Sequence, residues 1–217
     1  CDDFFPKQTF SSREQQFYPG SYGITEQKLK ISAADNIRFS VTVYPTLKTS
    51  SHQTLIEFGR FCLTLDPEGH PSFSFGSETV TTVDAISMRR WQRIEAQINK
   101  TGLMSIELIN LDNSKDSKLA FVQLDVAWDL NEQAYIIIAA QRVKGSTKNC
   151  FNGKIEGPEI YADEQSMALW DFSKNTSSLS VPGIGCPDLM LINAPTRAVT
   201  GALWDASEMN WQHKPEH

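Results

Sequence analysis

The chain has 217 residues, a net charge of −6 at neutral pH and a composition that is 40% hydrophobic and 10% aromatic. These values fit one ordinary globular domain and exclude a nucleic-acid-binding surface, which draws its affinity from clustered Lys and Arg. No apolar stretch approaches the ~20 residues that span a bilayer, so no membrane partner is expected, and no signal-peptide profile opens the chain. Four cysteines, at positions 1, 62, 150 and 186, show neither C-x-x-C pairing nor regular spacing. They indicate no zinc site and no disulfide framework, and suit a reducing, cytoplasmic setting.

Residues 1–16 read as an N-terminal arm. From Ile37 onward apolar and polar residues alternate in short runs separated by turns. Phe39, Val41 and Val43 point one way while Ser40, Thr42 and Tyr44 point the other, and Pro45 closes the run. Leu55-Ile56-Glu57-Phe58, Gly59 and then Phe61, Leu63 and Leu65 form a second pair of runs. The Asp66-Pro67-Glu68-Gly69 turn leads on to Phe73 and Phe75, predicting a hairpin. Arg89, Arg90 and Arg93 lie in a strand-like run and read as a solvated strand face. Trp91, Ile94, Ala96 and Ile98 continue the alternation with one slip that a bulge would absorb.

Asn99-Lys100-Thr101-Gly102 turns the chain back into Met104, Ile106 and Leu108. A polar loop from Asp112 to Lys118 precedes Ala120, Val122, Leu124 and Val126. The run from Tyr135 to Ala140 is apolar on both faces and predicts a central strand. Phe151 opens the last strand of the block, which reaches Ile160-Tyr161. Ala162 to Leu169 reads as the one helical turn, Trp170 to Ser173 as a late strand, and Lys174 to Asp188 as a loop rich in Pro and Gly. Repeated short strands with almost no helical period predict an all-β antiparallel sandwich over residues 1–173, with 174–217 as a C-terminal strap or linker.

The strand opened by Phe151-Asn152-Gly153-Lys154-Ile155 and ending Ile160-Tyr161 resembles the last-strand phrase of laminin G-like domains. The implied fold is a jelly-roll sandwich of the concanavalin A-like lectin/glucanase and laminin G type. A narrower resemblance starts at Trp170-Asp171-Phe172-Ser173. It continues through Leu191-Ile192-Asn193-Ala194-Pro195-Thr196-Arg197-Ala198-Val199-Thr200-Gly201 and Trp204 to Trp211-Gln212-His213-Lys214-Pro215-Glu216-His217. Pro19-Gly20-Ser21-Tyr22 resembles the opening of the same family. Together these phrases resemble the large subunit of N,N-dimethylformamidase, and the segment from Pro182 to Asp188 departs from its pattern. The resemblance implies a non-catalytic, lectin-like piece of a longer amidohydrolase. It also implies iron in a downstream domain and no cofactor in this chain, with that domain, a small subunit or a second copy of the chain as partners.

In the chain itself, Glu156 and Glu159 come nearest to a catalytic carboxylate pair. Their odd offset faces them oppositely on a regular strand, and Pro158 interrupts it. His213 and His217 stand four apart, but Pro215 breaks the helix such a metal pair needs. Asp35 and Asp163 are candidates for a calcium at the sandwich rim, or for solvated loop carboxylates. The sequons at Asn99 and Asn175 carry meaning only on a secretory route. Trp91 and Trp170 sit in apolar alternation and read as core. Trp128, Trp204 and Trp211 are the candidates for sugar stacking or partner contact. The leading expectation is a structural and interaction module, and the alternative is a carbohydrate-binding lectin-type module.

Overall fold

A computed structural model describes residues 20–111, 117–124, 131–172, 177, 179–193 and 195. The strands in chain order are β1 (Tyr22–Thr25), β2 (Leu29–Ser32), β3 (Asn36–Pro45), β4 (Gln53–Phe58), β5 (Phe61–Leu65), β6 (Pro71–Phe75), β7 (Glu78–Thr81), β8 (Gln92–Asn99), β9 (Leu103–Asn110) and β10 (Ser117–Gln123). There follow β11 (Asn131–Ala134), β12 (Ile136–Ile138), β13 (Gln141–Val143), β14 (Ser146–Lys148), β15 (Gly153–Ala162), β16 (Gln165–Trp170), β17 (Ser180–Val181), β18 (Gly183–Ile184) and β19 (Leu189–Ile192). Among the described residues there is no helix.

Two antiparallel sheets face one another. The first runs β17-β19-β1-β12-β4-β5-β6-β7 and the second β10-β9-β8-β3-β15-β16-β18. Alternation decides which side chains meet between them. Phe39, Val41 and Val43 of β3 are fully buried, as are Ile94 and Ile98 of β8. Opposite them, Phe61, Leu63 and Leu65 of β5 and Phe73 of β6 are buried to the same degree. The ring of Phe39 crosses the gap, with centroids 5.4 Å from Phe61 and 5.5 Å from Phe73. Tilted aromatic contacts of this kind add specific attraction to the loss of hydrated surface. The triplet Ile136-Ile137-Ile138 lies between β1 and β4 and is buried throughout, as its apolar sequence predicts.

Several local expectations are corrected. Ala162 to Leu169 is not helical. Asp163 and Glu164 take left-handed backbone angles, φ 48° and 65°, and form a tight turn between β15 and β16. Ala168 and Trp170 then bury inward at strand spacing, so the period is two. The 174–188 loop holds short strands at Ser180–Val181 and Gly183–Ile184 that close one edge of each sheet. Trp170 ends β16 rather than starting a strand.

No bulge interrupts β8, whose register with β3 is continuous; the slip arises because Trp91 precedes the strand. Trp91 is half-buried, its ring 5.4 Å from Tyr44, and is not a core residue. Arg89 and Arg90 lie in a turn, with Arg89 at φ 57°, and only Arg93 is on a strand.

Candidate functional site

The outward face of β4–β7 is unusual for what its alternate positions carry. Register lines Glu57, Cys62, Ser74 and Thr79 into one row across the four strands, and Thr54, Thr64, Ser72 and Thr81 into the next. An irregularity between Thr54 and Ile56 puts Thr54 and Glu57 on one face despite their odd offset. Strand pairing places row neighbours ~4.8 Å apart, with ~7 Å between rows. Thr54 is fully buried, and the other seven form a mostly short-chain polar lattice that lines the surface.

Cross-strand hydroxyl pairs fix the floor. Ser72 Oγ lies 2.9 Å from Thr81 Oγ1, and Ser74 Oγ lies 2.8 Å from Thr79 Oγ1. Such pairs stabilise a ladder by themselves, yet each hydroxyl keeps further hydrogen-bonding capacity. The hairpin β13–β14 and the β4–β5 turn raise walls around this floor, giving a cleft of about 570 Å³ that is also lined by His52, Arg60, Asp66, Gln141 and Asn149. That size lies within the range of small-ligand sites.

Glu57 is tied into the wall: its Oε2 accepts from the Arg142 backbone N–H at 2.9 Å. Burial pushes its carboxyl above the usual carboxylate range, against the lowering influence of that hydrogen bond and of the Arg142 charge. Burial, reinforced by the neighbouring Glu57 charge, pushes the Cys62 thiol up to about 12, so Cys62 is a poor nucleophile. Asp66 Oδ1 accepts from His70 N–H at 2.7 Å and holds the β5–β6 turn. The Arg60 guanidinium is engaged at its Nε by Glu132 Oε2, 2.8 Å away, and lies 4.6 Å over the Phe75 ring. Among the described cleft residues, no base stands beside an activated nucleophile.

None of the described candidates named from sequence lines this cleft. Trp128, Trp204 and Trp211, like His213 and His217, fall outside the described residues, as does Asn175. Trp170 is fully buried, its Nε1–H donating to the Pro187 carbonyl at 3.0 Å. Glu156 and Glu159 are brought to the same face, contrary to the regular-strand expectation. A register shift between them pairs Glu156 with Thr42 and Glu159 with Ser40, positions two apart on β3. Gly157 at φ 52° absorbs the extra residue.

Glu159 is nonetheless occupied, accepting from Tyr161 OH at 2.5 Å and Ser166 Oγ at 2.6 Å, while Arg38 stacks 3.8 Å over the Tyr161 ring. Asp163 Oδ1 accepts from the N–H groups of Asp35 and Asn36, and Asp35 pairs with Lys100 at 2.5 Å. Both aspartates therefore staple the rim. Among the described residues no group of three or more His, Cys, Asp or Glu side chains is arranged to hold a metal ion.

None of the cleft residues stands out in the sequence as a site candidate; Glu57, Gly59 and Asp66 enter there only as parts of a strand and its turns. A signal was present. Cys62/Thr64, Ser72/Ser74 and Thr79/Thr81 fill the outward positions of three successive runs with small polar groups.

With the geometry described, comparison with solved structures places the architecture. A candidate carbohydrate-binding protein of Bacteroides ovatus superposes with a TM-score of 0.62 at 10% identity, over 84% of this chain and 60% of that one. The native heptameric SAP-like pentraxin of Limulus polyphemus gives 0.50 at 10% identity, over 67% of this chain and 73% of that one. The fold is a laminin G and concanavalin A-like jelly roll. The LG1-3 region of the laminin α2 chain agrees, with a TM-score of 0.50 at 13% identity over 68% of this chain and 31% of that one. At the level of sequence, neither a family profile nor a curated protein matches the chain. Identities this low speak to the jelly-roll fold and to nothing finer.

Proposed function

We propose that this jelly roll is a lectin-type carbohydrate-binding module whose ligand rests on the β4–β7 face. The double row of short polar side chains at the base of the cleft carries the reading. A saccharide is recognised by many directional hydrogen bonds at fixed spacing, and a rigid sheet supplies donors and acceptors with little rotamer entropy to lose. The carbohydrate-binding description of the Bacteroides ovatus structure, to which the chain is similar in fold, supports it. Titration of isotope-labelled protein against a glycan panel tests it. Shifts are expected at Thr64, Ser72, Ser74, Thr79 and Thr81, and Thr79→Val with Ser74→Ala should weaken binding at least tenfold. A panel that moves none of these resonances at millimolar sugar overturns the reading.

A second reading rests on the Trp170–Ser173, Leu191–Gly201 and Trp211–His217 phrases, which resemble N,N-dimethylformamidase. In it the sandwich is a cytoplasmic, non-catalytic module that packs on a downstream iron-dependent amidohydrolase domain through Trp128, Trp204 and Trp211. A small subunit or a second copy of the chain would be a further partner. The chain alone then hydrolyses no small amide even with iron supplied, and turnover by the purified chain overturns this reading.

A further inference from the structure

The charge of the cleft is lopsided, and the lopsidedness assigns a ligand class. Its lining carries two carboxylates, Glu57 and Asp66, and one guanidinium, that of Arg60, while the Arg142 charge acts on Glu57 from outside the lining. Arg60 is not available on equal terms, because Glu132 holds its Nε and its plane lies over Phe75. Glu132 is mostly buried, its side chain 13% exposed, so the pair is anchored from the protein side. Each lining carboxylate spends one oxygen on a backbone N–H, Arg142 for Glu57 and His70 for Asp66. Their second oxygens remain to accept from a ligand.

Glu57 also forms one row with Cys62, Ser74 and Thr79, in line with the floor and not beyond its edge. We infer that the cleft takes donor-rich sugars, neutral or amino-substituted, and rejects uronic and other acidic sugars. The inference rests on the lectin-type reading and deepens it. A sugar ammonium placed over the Glu57–Ser74 row would meet a carboxylate and hydroxyl acceptors, whereas a sugar carboxylate there would face like charge in a partly desolvated site.

The test uses the full chain and matched methyl glycosides of an amino sugar, its parent hexose and its uronic acid, in both gluco and galacto configuration. Binding is read by calorimetry at low and at physiological salt. The amino glycoside is expected to bind at least tenfold more tightly than the uronide, with the ratio shrinking as salt screens it. Glu57→Gln should collapse most of that ratio by weakening the amino glycoside far more than the parent hexose, while its amide carbonyl can still accept from Arg142. Asp66→Asn, which can still accept from His70, provides a second variant should Glu57→Gln unfold. A uronide that binds as tightly as the amine overturns the inference and leaves the lectin reading standing. A ratio unchanged in both variants also overturns it, and binding of no glycoside overturns both.

Discussion

The turn between β4 and β5 offers the sharpest test of how the cleft wall is built. Gly59 sits there at φ +57°, and an added Cβ would fall on the Glu132 carboxylate, well inside van der Waals contact. Gly59→Ala therefore imposes two separable penalties. Left-handed backbone costs a non-glycine residue about 1–2 kcal/mol. Displacing Glu132 also breaks its contact with Arg60, and because Arg60 is half-exposed that loss adds only about 0.5–1 kcal/mol. The total is about 2 kcal/mol, read as a shift in the urea midpoint at constant slope.

The double variant with Glu132→Ala separates the penalties. Without the Glu132 side chain the new methyl group meets no carboxylate, and the Gly59→Ala cost should fall to its backbone part, about 1 kcal/mol. If Gly59→Ala costs less than about 0.5 kcal/mol, or if the two costs add within about 0.3 kcal/mol, the proposed contact between turn and carboxylate is wrong.

Three more outcomes follow from the same geometry. Trp170→Phe strands the half-buried Pro187 carbonyl that the indole N–H now satisfies, and should cost about 1 kcal/mol in denaturant unfolding; a loss below about 0.5 kcal/mol would mean the bond is immaterial. With its thiol pushed to about 12 from an ordinary 9.0, Cys62 should form thiolate about a thousandfold less at pH 8, so site-resolved iodoacetamide labelling should leave it largely unmodified while the chain is folded. Rapid labelling of native protein would contradict the burial. Glu57 keeps its proton to higher pH when folded than when unfolded, so the neutral form's advantage is present at low pH and is lost as pH rises through the elevated value. Thermal melts of Glu57→Gln should therefore gain on the natural protein between acidic and neutral pH, and a difference that does not vary with pH refutes the assignment.

Much of the sandwich could be read residue by residue because its chemistry is local. Phe39, Val41 and Val43 alternate with polar neighbours, and all three are buried as that alternation demands. The run from Tyr135 to Ala140 announced a strand covered on both sides, and Ile136–Ile138 is one, while Tyr135 is left exposed. What misled was backbone conformation that side-chain type does not encode. Ala162 to Leu169 contains residues compatible with a helix, but two left-handed residues at Asp163-Glu164 reverse the chain and reset the period. Glu156 and Glu159 look opposed by count, yet one extra residue at Gly157 turns them to one side.

The cleft was harder still. Its rows exist only through the pairing of four strands, and register is a property of the assembled sheet, so Ser74 and Thr79 could not be placed in the row of Glu57 from sequence alone. Trp91 shows the converse: aromatic and next to an apolar run, it rests half-buried on Tyr44.

The two ends of the described sandwich are fastened together. Ser21 Oγ donates to the Asn193 carbonyl at 2.9 Å, and Asn193 Nδ2 donates to the Gly20 carbonyl at 3.2 Å. A body whose two ends lie side by side can be spliced into the surface loop of another protein without prising that loop apart. Grafted in this way it would hang from a double tether, and since β1 and β19 are adjacent strands of the cleft's own sheet, whatever it grips would be presented at a set angle to its host.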